Sequence, residues 1–161
     1  MKAEIGAEHA WLRALVGEWN VEFVMMDGID QPPGTLAGRE TVRMLGDVWL
    51  LCEGEGQMPD GGRTRHQMLL GYDPAQGSFV GSFITSVMNH HWVYRSGALD
   101  PARRVLALDC EGPSFDGSSG LVSYRDEIEI LGPAERLLHG NRIGSDGQWL
   151  RFMTSRYWRA G

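Results

Sequence analysis

Phe79-Val80-Gly81-Ser82-Phe83-Ile84-Thr85-Ser86-Val87-Met88-Asn89-His90-His91-Trp92-Val93-Tyr94-Arg95-Ser96-Gly97-Ala98-Leu99 sets two runs of strand-forming residues around a short polar segment. A turn is expected near Ser86 to Asn89, and Asp100-Pro101 closes the second run. The stretch reads as a hairpin from the middle of a β-barrel. Successive strand side chains point to opposite faces. His90, Trp92 and Tyr94 therefore share one face, and His91, Val93 and Arg95 the other. Arg95 belongs in water, which turns His90, Trp92 and Tyr94 inward.

The same period of two recurs on both sides of this hairpin. Upstream, Trp19, Val21, Phe23 and Met25 alternate with Glu18, Asn20 and Glu22, and the chain then breaks at Asp27-Gly28 and Pro32-Pro33-Gly34. Glu40, Val42 and Met44 share a face opposite Arg39, Thr41 and Arg43, before a turn at Leu45-Gly46-Asp47. Trp49, Leu51, Glu53 and Glu55 share the next, which Pro59-Asp60-Gly61-Gly62 ends. Arg65 to Tyr72 follows, closed by Asp73-Pro74. Downstream come strands over 105–111, 121–131, 136–143 and 149–158, with a loop rich in Gly, Ser and Pro over 112–120. About ten strands without helical crossovers predict an antiparallel meander closed into a barrel.

One helix precedes the strands. Glu8 to Val16 carries Trp11, Leu12 and Leu15 on an apolar face, with Glu8 in the first turn and Gly17 placed to take a left-handed cap. The expectation is one domain over 1–161, with a helix at about 8–16 and a barrel at about 17–159.

Composition narrows the function. The chain has 161 residues, enough to bury a substantial core. Its net charge of -6 and scattered basic residues argue against nucleic acid as a partner. No run approaches the ~18 apolar residues of a membrane span, and Met1 to Glu8 lacks the apolar segment of a secretion signal. Cys52 and Cys110 lack metal or redox spacing and read as buried free thiols of a cytoplasmic protein.

Gly17-Glu18-Trp19, at the start of the first strand and just after a helix, resembles the Gly-x-Trp signature of lipocalin-like (calycin) barrels. The resemblance implies that Trp19 sits at the closed end, with Arg156 or Arg159 of the last strand packed across it. A longer resemblance runs through Leu15-Val16-Gly17-Glu18-Trp19, Glu53-Gly54-Glu55-Gly56, Leu70-Gly71-Tyr72-Asp73-Pro74, Phe79-Val80-Gly81-Ser82, His90-His91-Trp92-Val93-Tyr94 and Tyr124-Arg125-Asp126. These segments, in this order, resemble a bacterial domain of unknown function, family number fifteen seventy-nine. The resemblance implies a lipocalin-like up-and-down barrel and no defined activity.

Side-chain parity selects the candidate site residues. Asp126 shares a face with Val122, Tyr124, Ile128 and Ile130, so it is expected inside, where a carboxylate must be paired, hydrogen-bonded or protonated. Glu40 and Glu53 are placed inside by the same reasoning. With His90, Trp92, Tyr94, Tyr124 and Met88 they make the proposed lining: aromatics and methionine for burial, polar groups for orientation. Met25, Met44, Met68 and Met153 complete a set that reads as plain core. No cofactor is expected. His90 and His91 point to opposite faces of a strand and cannot share a metal ion, no HxH or HExxH spacing occurs, and nothing beyond His90 and Met88 speaks for haem.

The leading expectation is therefore a barrel that binds a small, largely apolar molecule. The alternative is an acid–base enzyme of isomerase, cyclase or hydrolase type, with His90 or Asp126 acting beside a tyrosine. A filled barrel would leave a structural or interaction module, and an outer sheet face is where a homodimer would form.

Overall fold

A computed structural model describes residues 1–25 and 35–161. The breaks read at Asp27-Gly28 and Pro32-Pro33-Gly34 lie outside the described residues. Helix α1 spans Ala7–Arg13. The strands are β1 (Gly17–Met25), β2 (Thr35–Leu45), β3 (Trp49–Gln57), β4 (Arg63–Asp73), β5 (Ser78–Thr85), β6 (Trp92–Tyr94), β7 (Ser96–Leu99), β8 (Val105–Pro113), β9 (Leu121–Gly132), β10 (Glu135–Ile143) and β11 (Trp149–Arg159). All pairings are antiparallel, in the order β6-β5-β4-β3-β2-β1-β11-β10-β9-β8-β7. Every neighbour is also next in the chain except β1 and β11, as in an up-and-down meander.

The two ends of that order, β6 and β7, are consecutive in the chain. The central hairpin thus supplies the closing strand, divided at Arg95. Its first half pairs with β5 (Phe83 opposite Trp92) and its second with β8 (Gly97 opposite Leu108). Side chains bridge what the backbone ladder leaves open. Gly97 N–H donates to Ser78 Oγ at 3.0 Å, tying β7 to β5. His90 Nε2–H donates to the Glu111 carbonyl at 2.9 Å, tying the hairpin loop to β8.

Interior parity follows the sequence on most strands. Leu50, Leu70, Leu106 and Leu108 are fully buried, with Trp19, Val42, Phe79 and Ile128 nearly so. The β3 parity is reversed. Leu50 and Cys52 face in, and Glu53 and Glu55 face out. Both parities begin with a large apolar residue, so the sequence pattern there is ambiguous. What decides is space: the Trp49 ring lies where a Cβ on Gly71 would be, 2.4 Å from it. Glu53 is therefore an outer-face residue, 3.7 Å from Arg43 and within reach of Gln67.

The closed end is built on Trp19, whose indole N–H donates to the Leu15 carbonyl at 2.9 Å. Helix α1 lays Trp11 and Leu12 over this end, and Trp11 Nε1–H holds the Arg103 carbonyl at 2.9 Å. The helix ends at Arg13 rather than at Val16, and Gly17 is not its cap. Its last carbonyls accept from the backbone N–H groups of Ala14, Leu15 and Val16, and just beyond it Arg159 of β11 donates to Ala14 O at 2.9 Å, to Val16 O, and, across the barrel end, to Pro133 O at 3.1 Å. The same guanidinium stacks 4.1 Å from the Trp19 ring, so Arg159, not Arg156, covers the tryptophan. Gly17 is required for another reason. Its φ is +142°, and a Cβ would sit 2.1 Å from Arg159 Nη1.

One residue thus holds the turn that follows the helix, covers Trp19 and fixes the last strand. Charge-assisted hydrogen bonds and a cation–π contact together are worth about 2 kcal/mol here after solvent screening. Arg159→Ala is expected to lower the melting temperature by roughly 4–8 °C in a thermal unfolding scan, with Arg159→Lys recovering part of the loss. An unchanged melting temperature would contradict the role.

Candidate functional site

Inside the barrel, β2 and β10 each contribute one charged residue. Glu40 is 5% exposed and Arg136 4%, and Arg136 Nη2 donates to Glu40 Oε1. His66 of β4 donates from Nε2 to the other oxygen, Oε2, at 3.0 Å. Burial pushes the Glu40 carboxyl up. The hydrogen bond from His66 and the charge of Arg136 outweigh that and hold it below the usual carboxylate range. The guanidinium lies between two rings, 3.8 Å from the centroid of Tyr157 and 4.9 Å from that of Trp19. The His66 ring occupies the space a Cβ on Gly54 would take, 2.2 Å from it, so the glycine of β3 makes room for the histidine of β4.

His66 is also part of the wall of an apolar cavity of about 360 Å³. Val21, Phe23, Leu36, Phe83, Phe115, Phe152 and Met153 form its sides, and Met58, Val87 and Met88 stand at its mouth. Among its polar side chains, Thr64 and Thr85 share a hydrogen bond of 3.1 Å. His66 Nδ1 bonds to no described residue. Phe115 and Phe152 touch edge to face, their centroids 5.3 Å apart.

The residues singled out by parity divide into three groups. Glu40 is inside, one bond behind the cavity wall, and Met88 stands at the mouth. Tyr94 and Asp126 meet, the tyrosine hydroxyl donating to Asp126 Oδ2. Burial pushes the Asp126 carboxyl up to about 6, against the opposing hydrogen bond from Tyr94. Burial and the Asp126 charge raise the Tyr94 hydroxyl well above its ordinary range. Neither lines the apolar cavity. Trp92 and Tyr124 are buried and meet edge to face at 5.0 Å, while Tyr124 donates to the Pro113 carbonyl at 2.6 Å. Tyr124 stands behind Phe115, 5.6 Å away, as a second layer of aromatic wall. His90 packs on Trp92 at 4.8 Å but sits over the seam between β6 and β8, outside the cavity. The expectation that it faces the interior is corrected by its bond to Glu111: holding the loop to β8 takes the ring to the edge of the sheet.

Two further concavities are lined differently. One of about 410 Å³ follows the seam and shows His90, His91, Arg95, Cys110 and Trp149. Burial and the Asp126 charge push the Cys110 thiol up to about 12, which makes it a poor nucleophile. Cys52 is raised by burial as well, and both cysteines are free. The other, about 630 Å³, is a trough on the outer face walled by Glu18, Arg39, Glu53, Glu55 and Arg65.

Parity reasoning missed His66 and Arg136, although the signal was present. His66 alternates with Arg65 and Gln67 in phase with Met68 and Leu70, and Arg136 is in phase with Leu138. The argument that placed Asp126 inside applies equally to both.

The barrel has known counterparts. Rv2717c from M. tuberculosis superposes with a TM-score of 0.64 at 14% identity, covering 98% of this chain and 100% of that one. The S-type phycobiliprotein lyase CPES from Guillardia theta gives 0.61 at 10% identity, covering 97% and 94%. The barrel EF1p2_mFAP2b, solved bound to DFHBI, gives 0.50 at 14% identity, covering 94% and 98%. These likenesses establish the fold. No curated protein matches the sequence. The motifs that run from Gly17-Glu18-Trp19 to Tyr124-Arg125-Asp126 belong to one sequence family matched over residues 4–159, and the chain is a member of it: Protein of unknown function (DUF1579).

Proposed function

We propose that the protein binds a small, largely apolar molecule in the cavity at the open end of the barrel. The observation that carries this reading is the cavity itself, about 360 Å³, with phenylalanine and methionine walls and His66 within its lining. That volume falls in the ordinary range of small-molecule sites, and such sites combine apolar walls with a few placed polar groups. Burial of the ligand's apolar surface supplies most of the affinity, at about 25 cal/mol per Å² before association costs. The methionines at the mouth adapt to ligand shape through three rotatable bonds. A barrel of similar fold holds DFHBI, which supports the reading at the level of the fold.

The acid–base enzyme reading requires a carboxylate–tyrosine or histidine–tyrosine pair beside an open cavity. Tyr94 and Asp126 form such a pair, but neither is in the lining of the apolar cavity or of the seam. We assign that pair to stability, as a polar contact between the closing strand and β9.

Gly56 offers a direct test of the cavity. It lines the space, and a Cβ there would meet nothing nearer than Thr64 Cγ2 at 3.6 Å. Gly56→Phe is expected to fill the cavity while keeping the fold. In a titration with the neutral probe N-phenylnaphthylamine, the wild type should show saturable fluorescence enhancement at one site. The variant should lose at least tenfold in affinity, with no fall in melting temperature. Failure of the wild type to bind any apolar probe, or equal binding by both proteins, would overturn the proposal.

The pair between Tyr94 and Asp126 has its own signature. Because burial raises the Asp126 carboxyl from 3.8 to about 6, the folded state holds its proton more tightly than the unfolded state. Its contribution to stability is full below about pH 4 and declines as pH rises toward 6. Asp126→Asn should flatten that segment of the stability–pH curve, measured by urea unfolding, and leave probe affinity unchanged. A variant with the wild-type slope, or with lost probe binding, would contradict the assignment.

A further inference from the structure

Three described segments stand at the mouth of the cavity, around Met58, Met88 and Phe115, and they are held unequally. Residues 58–62 close on themselves: Met58 N–H donates to the Gly62 carbonyl at 2.8 Å, and Gly61 N–H to the Met58 carbonyl at 2.9 Å. Residues 114–120 are tied by Asp116, which accepts from Ser114 Oγ at 2.7 Å and from Ser118 N–H at 2.8 Å, while Phe115 packs on Tyr124 and Phe152. Residues 86–91 are fixed chiefly at their two ends. Ser86 N–H donates to the Arg65 carbonyl at 2.8 Å, and Arg65 N–H donates back to Ser86 Oγ at 2.9 Å. At the far end is the bond from His90 to the Glu111 carbonyl. Between these ends, among the described residues, only Met88 N–H finds a partner, the Thr85 carbonyl at 3.4 Å. Val87 is 51% exposed and Met88 38%, although both line the cavity. A segment with so little buried apolar contact opens locally at low cost.

We propose that residues 86–91 are the lid of the cavity, hinged at Ser86 and latched by His90 on Glu111, and that the ligand enters and leaves when the latch lets go. This rests on the cavity reading above and adds its route of entry. The latch lies over the seam, where β6 and β8 share no backbone ladder, so release breaks one side-chain bond and no strand pairing. The acceptor is a carbonyl, so Nε2–H is the donor, which the charged ring and the neutral ring protonated at Nε2 both supply. The seam concavity borders His90 and His91 and gives the released segment room. His90 acts here as a positioning residue. The closed lid carries the latch bond with or without ligand, and the open lid lacks it. Loss of the bond therefore speeds opening equally in the free and the loaded protein and leaves the affinity nearly unchanged.

Stopped-flow fluorescence with N-phenylnaphthylamine tests the lid on the wild type, His90→Phe and His90→Gln. Phenylalanine keeps a ring to pack on Trp92 and cannot donate, whereas glutamine carries its N–H as many bonds from the backbone as Nε2 of the histidine. In His90→Phe the association and dissociation rate constants should both rise about three- to tenfold, the worth of one hydrogen bond, with their ratio changed by less than about twofold. His90→Gln should return both rates most of the way to the wild type. A second readout needs no variant: ¹³C relaxation dispersion of the methionine methyls in the ligand-free wild type. Met88 should exchange on the microsecond-to-millisecond scale of lid opening, and Met68, packed in the core, should not. If the wild type binds no probe, the cavity reading fails and the lid with it. If the probe binds but His90→Phe leaves both rates unchanged or alters dissociation alone, if glutamine does not restore them, or if Met88 shows no exchange, the cavity reading stands and the lid is overturned.

Discussion

The ion pair of Glu40 with Arg136 is the constraint around which the interior is arranged. Two charges this deeply buried lose several kcal/mol of hydration each, and only close geometry with further partners compensates. The fold supplies those partners from separate strands. His66 of β4 takes the second carboxylate oxygen, and Tyr157 of β11 and Trp19 of β1 lie against the guanidinium. On the Trp19 side the column continues to Arg159 and the end of the helix. On the His66 side it reaches the apolar cavity. One polar column thus links the closed end of the barrel to the open one.

This arrangement assigns different work to the two halves. Near the helix, leucines and aromatics pack as one buried cluster. Beyond His66 the walls are phenylalanine and methionine, and the space between them is open. The aromatic residues of the central hairpin do neither job directly. Trp92, Tyr94 and Tyr124 stand behind the cavity wall or beside the seam, and His90 fastens the loop that completes closure. The hairpin's contribution is to close the barrel, so that a cavity exists at all.

Much of this was legible in the sequence. Alternation fixed nearly every strand, the Gly-x-Trp motif located the closed end, and parity put Glu40 and Asp126 inside. Three things were not, each for a physical reason. Glu53 was misplaced because β3 begins with large apolar residues on both faces, and glycines decide which face is crowded. The partnership of Glu40 with Arg136 spans 96 positions and three strand neighbours, a distance that local pattern does not encode. The bonds from Arg159 to the turn after the helix join the two ends of the chain, and no local pattern shows that the role of Gly17 is to let that arginine pass.

The most direct test of the binding cavity uses methionine methyl groups as reporters. Met58, Met88 and Met153 line the cavity, whereas Met44 and Met68 pack in the core away from it. In a protein labelled with ¹³C at the methionine methyls, a bound apolar compound should shift the signals of Met58, Met88 and Met153 and leave those of Met44 and Met68 in place. Shifts confined to Met44 and Met68, or no shift with any apolar compound, would contradict the account.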